Sequence, residues 1–439
     1  MSINTNNQRL PMGSTSSSST RHLAEIVVTA AESSRQINKQ IANIAQLRVS
    51  NMQLHGRDDD IKLLRRKIRE LAKGKDGDEE DAAKNNLGEM ILVSGASGTG
   101  KSALIQKGLG DQASRLGYAF TFGKFDDKLR CPLSAFSDAM ACLASYIMVE
   151  HDKKGGLSST GGLSTATLIR DKIQSEFDEE DVEQLRRVLP GCEELLGTSA
   201  NGSTLETVKR QVSLALAGKE SISQMHYAIR RLLKIICSHL KGVVLFIDDL
   251  QWSDTATLDL LKSIVLDGEI PSLLIVGAFR EDEVPDHHPL AFHIRELEQM
   301  NVSITKIKIG NLSVDYVVPL VAEVLGMDDD DSKVKILAET IHRKTEGNPF
   351  FILMFLRSLY DEKLLRYNVG AMKWTWDDDA VKSKIVTENV ASVLVNKMNR
   401  LQDETQRMLM VASCLGATFR TEQLQYRSRW QCFFICEFN

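Results

Sequence analysis

The stretch MILVSGASGTGKS, Met90 to Ser102, decides the fold. The apolar run Met90–Val93 predicts a short buried strand, and ALIQKGLG behind Ser102 predicts a helix. Between them, Gly95-x-x-x-x-Gly100-Lys101-Ser102 has the spacing of a phosphate-binding loop. Glycines there let consecutive backbone N–H groups curl around an anion at a helix N-terminus. Gly95, Ser97, Gly98, Thr99, Gly100 and Ala103 are the expected backbone cradle. Lys101 reaches β- and γ-phosphates, and the Ser102 hydroxyl is a Mg²⁺ ligand. A Gly/Ser-rich loop matches this spacing by accident often enough; a strand before it and a helix behind it make the match specific.

Such a loop calls for an acidic residue at the tip of a second strand. VVLFIDD, Val243 to Asp249, supplies two. Five apolar residues place the carboxylates at the carboxyl edge of a sheet, where ligands of open α/β folds bind. Asp248 is the metal-side candidate, and Asp249 the group that polarises a water for attack on the γ-phosphate. A further run, LLIVGAF (273–279), ends in Arg280. A cation at that tip is either a sensor of the γ-phosphate or an ordinary solvated arginine, and position alone leaves both open.

Strands are predicted at 90–94, 118–122, 243–247, 273–279 and 304–309, with helical patterns between them. That alternation argues for an α/β fold: a parallel sheet with helices on both faces. The interval 131–240 is too long for one crossover and reads as a helical insertion broken by the loop 153–166. Residues 54–310 are thus a core, with a charged surface loop at 73–88 between a helix at 58–72 and the first strand. Beyond 310 the pattern is helical (313–326, 332–345, 349–364). A hairpin follows, pairing Leu364–Tyr367 with Met372–Trp376, and then helices at 387–400 and 403–414. Residues 1–20, rich in Ser, Thr and Asn, read as a disordered tail. Residues 21–53 read as an N-terminal helix. Its apolar seam (Leu23, Val27, Ala30, Ile37, Ile41, Ile44) is interrupted at Ser34, which favours a helix packed on its own domain over a coiled coil.

With 43% hydrophobic residues over 439 positions, the chain has apolar material for two or three modest cores. A formal charge of −5 gives no global attraction to nucleic acid, while leaving room for a local basic face. The seven cysteines are scattered, so reduced thiols are expected, with Cys432 and Cys436 unliganded. The first residues lack the apolar core of a secretory signal, and the longest apolar runs are too short to span a bilayer. A soluble, cytoplasmic chain is expected.

Four stretches taken together, HGRDDDIKLL (55–64), GASGTGKS (95–102), FIDDLQWSD (246–254) and TEGNPFFI (345–352), resemble the AAA-type ATPase domain of the STAND class, also called the Orc1-like AAA ATPase family. The resemblance covers about residues 54–425. It implies a P-loop NTPase core, a helical lid with hairpin at 311–380, and the start of a winged-helix domain at 381–425. It further implies that Gly56-Arg57 line the adenine and ribose side, that Asp248 and Asp249 are the paired aspartates, and that Arg280 is the first sensor. Gly347-Asn348-Pro349 matches the lid motif whose proline packs on the adenine; from the chain alone, Pro349 reads as a helix start. Trp252 and Asp254 either anchor their loop or touch nucleotide.

Two features depart from the pattern. Many AAA motors carry Asp-Glu where this chain has Asp248-Asp249, and no arginine-finger motif follows. Both favour a slow switch over a ring motor. The ending YRSRWQCFFICEFN (426–439) does not continue the winged helix and reads as an atypical tail, as of a truncated chain. The expectation is an ATP- and Mg²⁺-dependent signalling switch with an unidentified protein partner. The alternatives are a P-loop kinase of a small molecule and an origin-recognition-like, DNA-associated ATPase. Net charge and the incomplete winged helix weigh against the last.

Overall fold

The computed structural model describes residues 47–48, 52–73, 88–127, 132–153, 164–197, 219–268, 270–383, 398 and 401–413. All five predicted strands are present: β1 (Glu89–Gly95), β2 (Ala119–Lys124), β3 (Val243–Asp248), β4 (Leu273–Arg280) and β5 (Ser303–Lys308). They form one parallel sheet in the order β2-β3-β4-β1-β5.

The apolar runs are continuous because both faces are covered, and the pleat divides them between two cores. Ile91, Val93, Val244, Phe246, Leu274 and Val276 enter one layer, with Leu64 and Ile68 of helix α1 (Asp58–Lys73). Met90, Leu92, Leu245, Ile247 and Ile275 enter the other, with Phe136, Met140 and Leu143 of α4 (Ser134–Lys153). The edge strand β5 buries only Ile307 and leaves Lys306 and Lys308 exposed, a usual protection for an unpaired edge.

Behind the glycine-rich loop the expected helix is present but not uniform. α2 (Lys101–Ile105) runs into a π-helical turn, Gln106–Gly110, and then α3 (Asp111–Leu116). Within 131–240, the described residues are largely helical. After α4 come α5 (Thr165–Glu176), α6 (Glu179–Val188), α7 (Glu193–Leu196) and α8 (Lys219–His239). The core continues with α9 (Thr255–Leu266) and α10 (Pro289–Gln299).

Beyond the sheet lie α11 (Val314–Leu325), α12 (Ser332–Thr345) and α13 (Pro349–Asp361). The hairpin β6 (Leu365–Asn368) and β7 (Lys373–Trp376) follows, with Leu365 opposite Trp376. Tyr360 and Tyr367 both meet the ring of Trp374 edge-on, which seats the hairpin on its preceding helix. Last come α14 (Asp378–Ser383) and α15 (Asp403–Ser413).

By compactness the chain divides into two units. One comprises Met1–Met52, Val318–Thr340 and Leu353–Ile385, the other Gln53–Val317, Ile341–Ile352 and Val386–Asn439. The sheet and the segment 341–352 therefore belong to the same unit. The expected tail at 1–20, most of the helix at 21–53, most of the 73–88 loop, most of the helix at 387–400 and the ending 426–439 lie outside the described residues. Among the described residues no helix is long and apolar enough to cross a membrane.

Candidate nucleotide site

Parallel register brings the chemistry to one edge. Gly95 is paired with Arg280 between β1 and β4, and Lys124 with Asp248 between β2 and β3. The tips of four neighbouring strands thus present the loop, the arginine, the aspartates and a lysine side by side.

Lys101 opens α2 directly behind Gly100, whose φ of 95° is the left-handed turn a glycine makes without strain. Its ammonium is buried and donates to the carbonyls of Gly95 (2.8 Å) and Ala96 (2.9 Å). Burial, reinforced by the positive field of Arg280, pulls its pKa below the ordinary lysine value. An anion inside the loop would offset both effects. Thr99 Oγ1 closes the loop onto Ala96 O at 2.9 Å. Arg57 Nη2 donates to Thr99 O at 3.2 Å and to Gly310 O. Arg57 is therefore a brace on the outer side of the loop. Ser97 and Ala103 lie on the same loop and helix as expected.

Ser102 Oγ donates to Asp248 Oδ2 at 2.6 Å. A hydroxyl and a carboxylate so placed present hard oxygen ligands at the mouth of a phosphate loop, a donor set that fits Mg²⁺. Asp248 is 2% exposed. Burial raises its pKa, with the charge of Asp249 adding to the rise and the Ser102 hydrogen bond and Lys124 opposing it.

Asp249 takes a left-handed backbone (φ 56°, ψ 45°), which turns its side chain out of the strand line. Gln251 Nε2 donates to its Oδ1 at 3.0 Å, and Lys124 Nζ meets its Oδ2 at 3.0 Å. The ammonium of Lys124 loses solvation by burial, but the Asp249 hydrogen bond and the two aspartate charges outweigh that and raise its pKa. Arg280 sits 3.7 Å from Asp249 Oδ1 and 2.6 Å from Glu283 Oε1, with its guanidinium 4.8 Å from the Trp252 ring centre. The Trp252 indole N–H donates to the other oxygen of Glu283 at 3.0 Å. Arg280 is thus clasped rather than solvated.

Asp254 caps α9, accepting from Thr257 N at 2.8 Å, and its second oxygen accepts from Leu133 N at 3.2 Å. For Trp252 and Asp254 these contacts are those of loop anchors.

Pro349 is the first residue of α13, as a helix start requires. Its neighbour Asn348 does more. The side-chain oxygen accepts from Phe350 N at 3.1 Å, an N-cap, while Nδ2 donates to Ser97 O at 2.9 Å. Phe350 N also reaches Gly98 O at 3.2 Å. The approach is close enough that a Cβ at Gly98 would lie 2.7 Å from Asn348 Oδ1. Likewise a Cβ at Gly347 would lie 2.0 Å from Leu312 O, so the Gly-Asn-Pro order has a steric reason.

Sequence reasoning missed Lys124, Gln251 and Glu283 as site residues, and named Asn348 only within a motif. A lysine at a strand end carries no local signal; only the register with β3 gives it meaning.

Residues 79–276 match the family model described as an AAA ATPase domain. The chain is 24% identical over 403 residues to hybrid signal transduction histidine kinase G of Dictyostelium discoideum, covering 77% of this chain and 11% of that protein. It therefore spans about a tenth of that relative's length. Two solved structures align at 10% identity. A Walker-type ATPase of Pyrococcus abyssi has a TM-score of 0.34, with 84% of this chain and 80% of that one covered. The ORC2 protein of Aeropyrum pernix, solved in ADPNP–ADP complexes, has a TM-score of 0.41, with 86% and 81% covered. With the parallel sheet, the glycine-rich loop behind β1 and the paired aspartates ending β3, the family match over residues 79–276 makes this region an AAA-type P-loop ATPase domain.

Proposed function

We propose that the chain is a slow ATP-hydrolysing switch in which the nucleotide state sets the position of the helical region 311–380. The observation that carries this is Asn348. One side chain caps α13 and holds the carbonyl of Ser97, so phosphates that reshape residues 97–98 act directly on the first turn of that helix. In this reading the N–H groups of Gly95–Ser102 cradle the phosphates, and Lys101 turns from the loop carbonyls to the β- and γ-phosphates. Ser102 and Asp248 hold Mg²⁺, which neutralises charge on the phosphates when bound. Asp249 orients the attacking water once its carboxylate is released from part of its present contacts, and Arg280 leaves Glu283 to meet the γ-phosphate. Arg57 supports the adenine and ribose side through the loop it braces, and the half-exposed Pro349 ring lies against the base.

The likeness to a hybrid histidine kinase supports a signalling setting with a protein partner, although the chain matches about a tenth of that protein. Phosphate release from ATP by the full chain, with and without small-molecule acceptors, tests the reading. Slow, Mg²⁺-dependent release that acceptors do not change is expected. ADP formation that requires an acceptor would make the chain a kinase instead.

A further inference from the structure

Away from the phosphate loop, α8 presents a second concentration of positive charge. Tyr227, Arg230, Arg231, Lys234 and Ser238 recur at three- and four-residue spacings and so share one face of that helix. This face, Lys172 and Glu176 of α5, and Asp267-Gly268 behind α9 enclose an open groove of about 690 Å³. That volume falls within the usual range of small-molecule sites. α9 starts beside Asp254 in the loop of the paired aspartates and ends at Leu266, 12 residues on. At 1.5 Å per residue, the end lining the groove is roughly 18 Å from the start. The groove is therefore separate from the phosphate loop.

Four cationic and two carboxylate side chains line it, an excess of two positive charges in a chain whose formal charge is −5. The internal pairs do not exhaust the donors. Arg230 gives one terminal nitrogen to Asp267 at 3.1 Å, Arg231 gives one to Asp181 at 3.4 Å and the other to the carbonyl of Glu176, and Lys172 pairs with the Glu176 carboxylate at 3.0 Å. A guanidinium carries five N–H groups, so each retains donors for an incoming oxyanion. Beside them Tyr227 is 56% exposed, with the Arg230 and Arg231 guanidinium carbons 6.0 and 5.6 Å from its ring centre. An exposed aromatic face next to cations suits a planar organic group attached to an anion.

We propose that this groove binds a small aromatic phosphomonoester dianion, its phosphate held by Arg230, Arg231, Lys234 and Lys172 and its ring on Tyr227. A continuous nucleic-acid backbone fits less well, because Glu176 and Asp267 interrupt the cationic track.

Calorimetric titration of the full chain at low salt with phenyl phosphate and with inorganic phosphate tests this. One saturable site per chain is expected for phenyl phosphate, unchanged by Lys101→Ala. Lys234 and Lys172 are exposed, so charge reversal at either leaves the fold intact, as a melting curve checks. Lys234→Glu should weaken both ligands by roughly tenfold, and Lys172→Glu should act in the same direction. Tyr227→Ala should bring phenyl phosphate down to the affinity of inorganic phosphate. The proposal fails if neither ligand saturates, if binding is lost with Lys101→Ala, or if both lysine reversals leave affinity unchanged. It fails equally if dodecathymidylate binds more tightly than phenyl phosphate with a steep salt dependence.

Discussion

Asp249 holds a strained backbone at the residue proposed to orient the attacking water. A left-handed backbone at a non-glycine residue costs on the order of 1–3 kcal/mol and persists only where its surroundings enforce it. Here Lys124, Gln251 and Arg280 do so. Asp249→Asn keeps the side-chain volume and leaves Ser102 and Asp248 in place, so ATP·Mg²⁺ should still bind. Hydrolysis should fall by roughly 10²-fold or more if Asp249 positions the water. A single-turnover assay decides, and parent-rate hydrolysis would make Asp249 structural. Lys101→Ala removes the fixed cation of the loop and should abolish or severely weaken binding of a fluorescent ATP analogue.

Asp248 carries a different liability. Its folded pKa is raised, chiefly by burial. Protonation therefore stabilises the folded chain; that contribution is complete below the unfolded aspartate value of about 3.9 and is lost as pH rises through the raised folded value. Asp248→Asn should accordingly gain thermal stability relative to the parent as pH rises above that window, measured without Mg²⁺ or nucleotide, while losing Mg²⁺-dependent nucleotide binding. The two aspartates were legible in sequence because a five-residue apolar run aims them at the sheet edge. Their neighbours Lys124 and Glu283 were not, since each acts through a contact between separate segments.

At the scale of elements, α13 joins a cap to the phosphate loop through Asn348. Asn348→Ala removes the cap, at a cost of about 1 kcal/mol, along with the donor to Ser97 O. Asn348→Asp retains a good cap but replaces that donor with a carboxylate facing a carbonyl and the phosphate site. The alanine variant should lower both the melting temperature and ATP affinity, whereas the aspartate variant should mainly weaken ATP. Equal ATP affinity in all three chains would separate α13 from the nucleotide. The strands and the three helices between 314 and 361 could be read closely from sequence, because buried parallel strands are short apolar runs and the helices keep their period. The π-helical turn at Gln106–Gly110 could not. Its glycines fit against Ile61 and Leu64 of α1 and against Phe120 of β2, which are tertiary neighbours.

At the scale of the whole molecule, a nucleotide shifts a conformational equilibrium only through different affinity for the two states. Arg280 is the residue best placed to create that difference. In this arrangement its charge is engaged by Glu283 at 2.6 Å and stacked on Trp252, so reaching a γ-phosphate means leaving both. ADP supplies no such attraction, while an ATP analogue does. Hydrogen exchange of the full chain with ADP and with a non-hydrolysable ATP analogue should therefore differ most at 273–282, around Arg280, and at 343–364, which contains the Asn348 cap and α13. Trp252 emission should change with the same nucleotide preference as its stacked cation departs. Arg280→Ala should erase most of both differences while leaving ADP affinity within about twofold, because the γ-phosphate is the group it is argued to read. Identical exchange profiles in the two nucleotide states would mean that ATP is bound without being sensed, and the switch would be rejected while the ATPase domain stood.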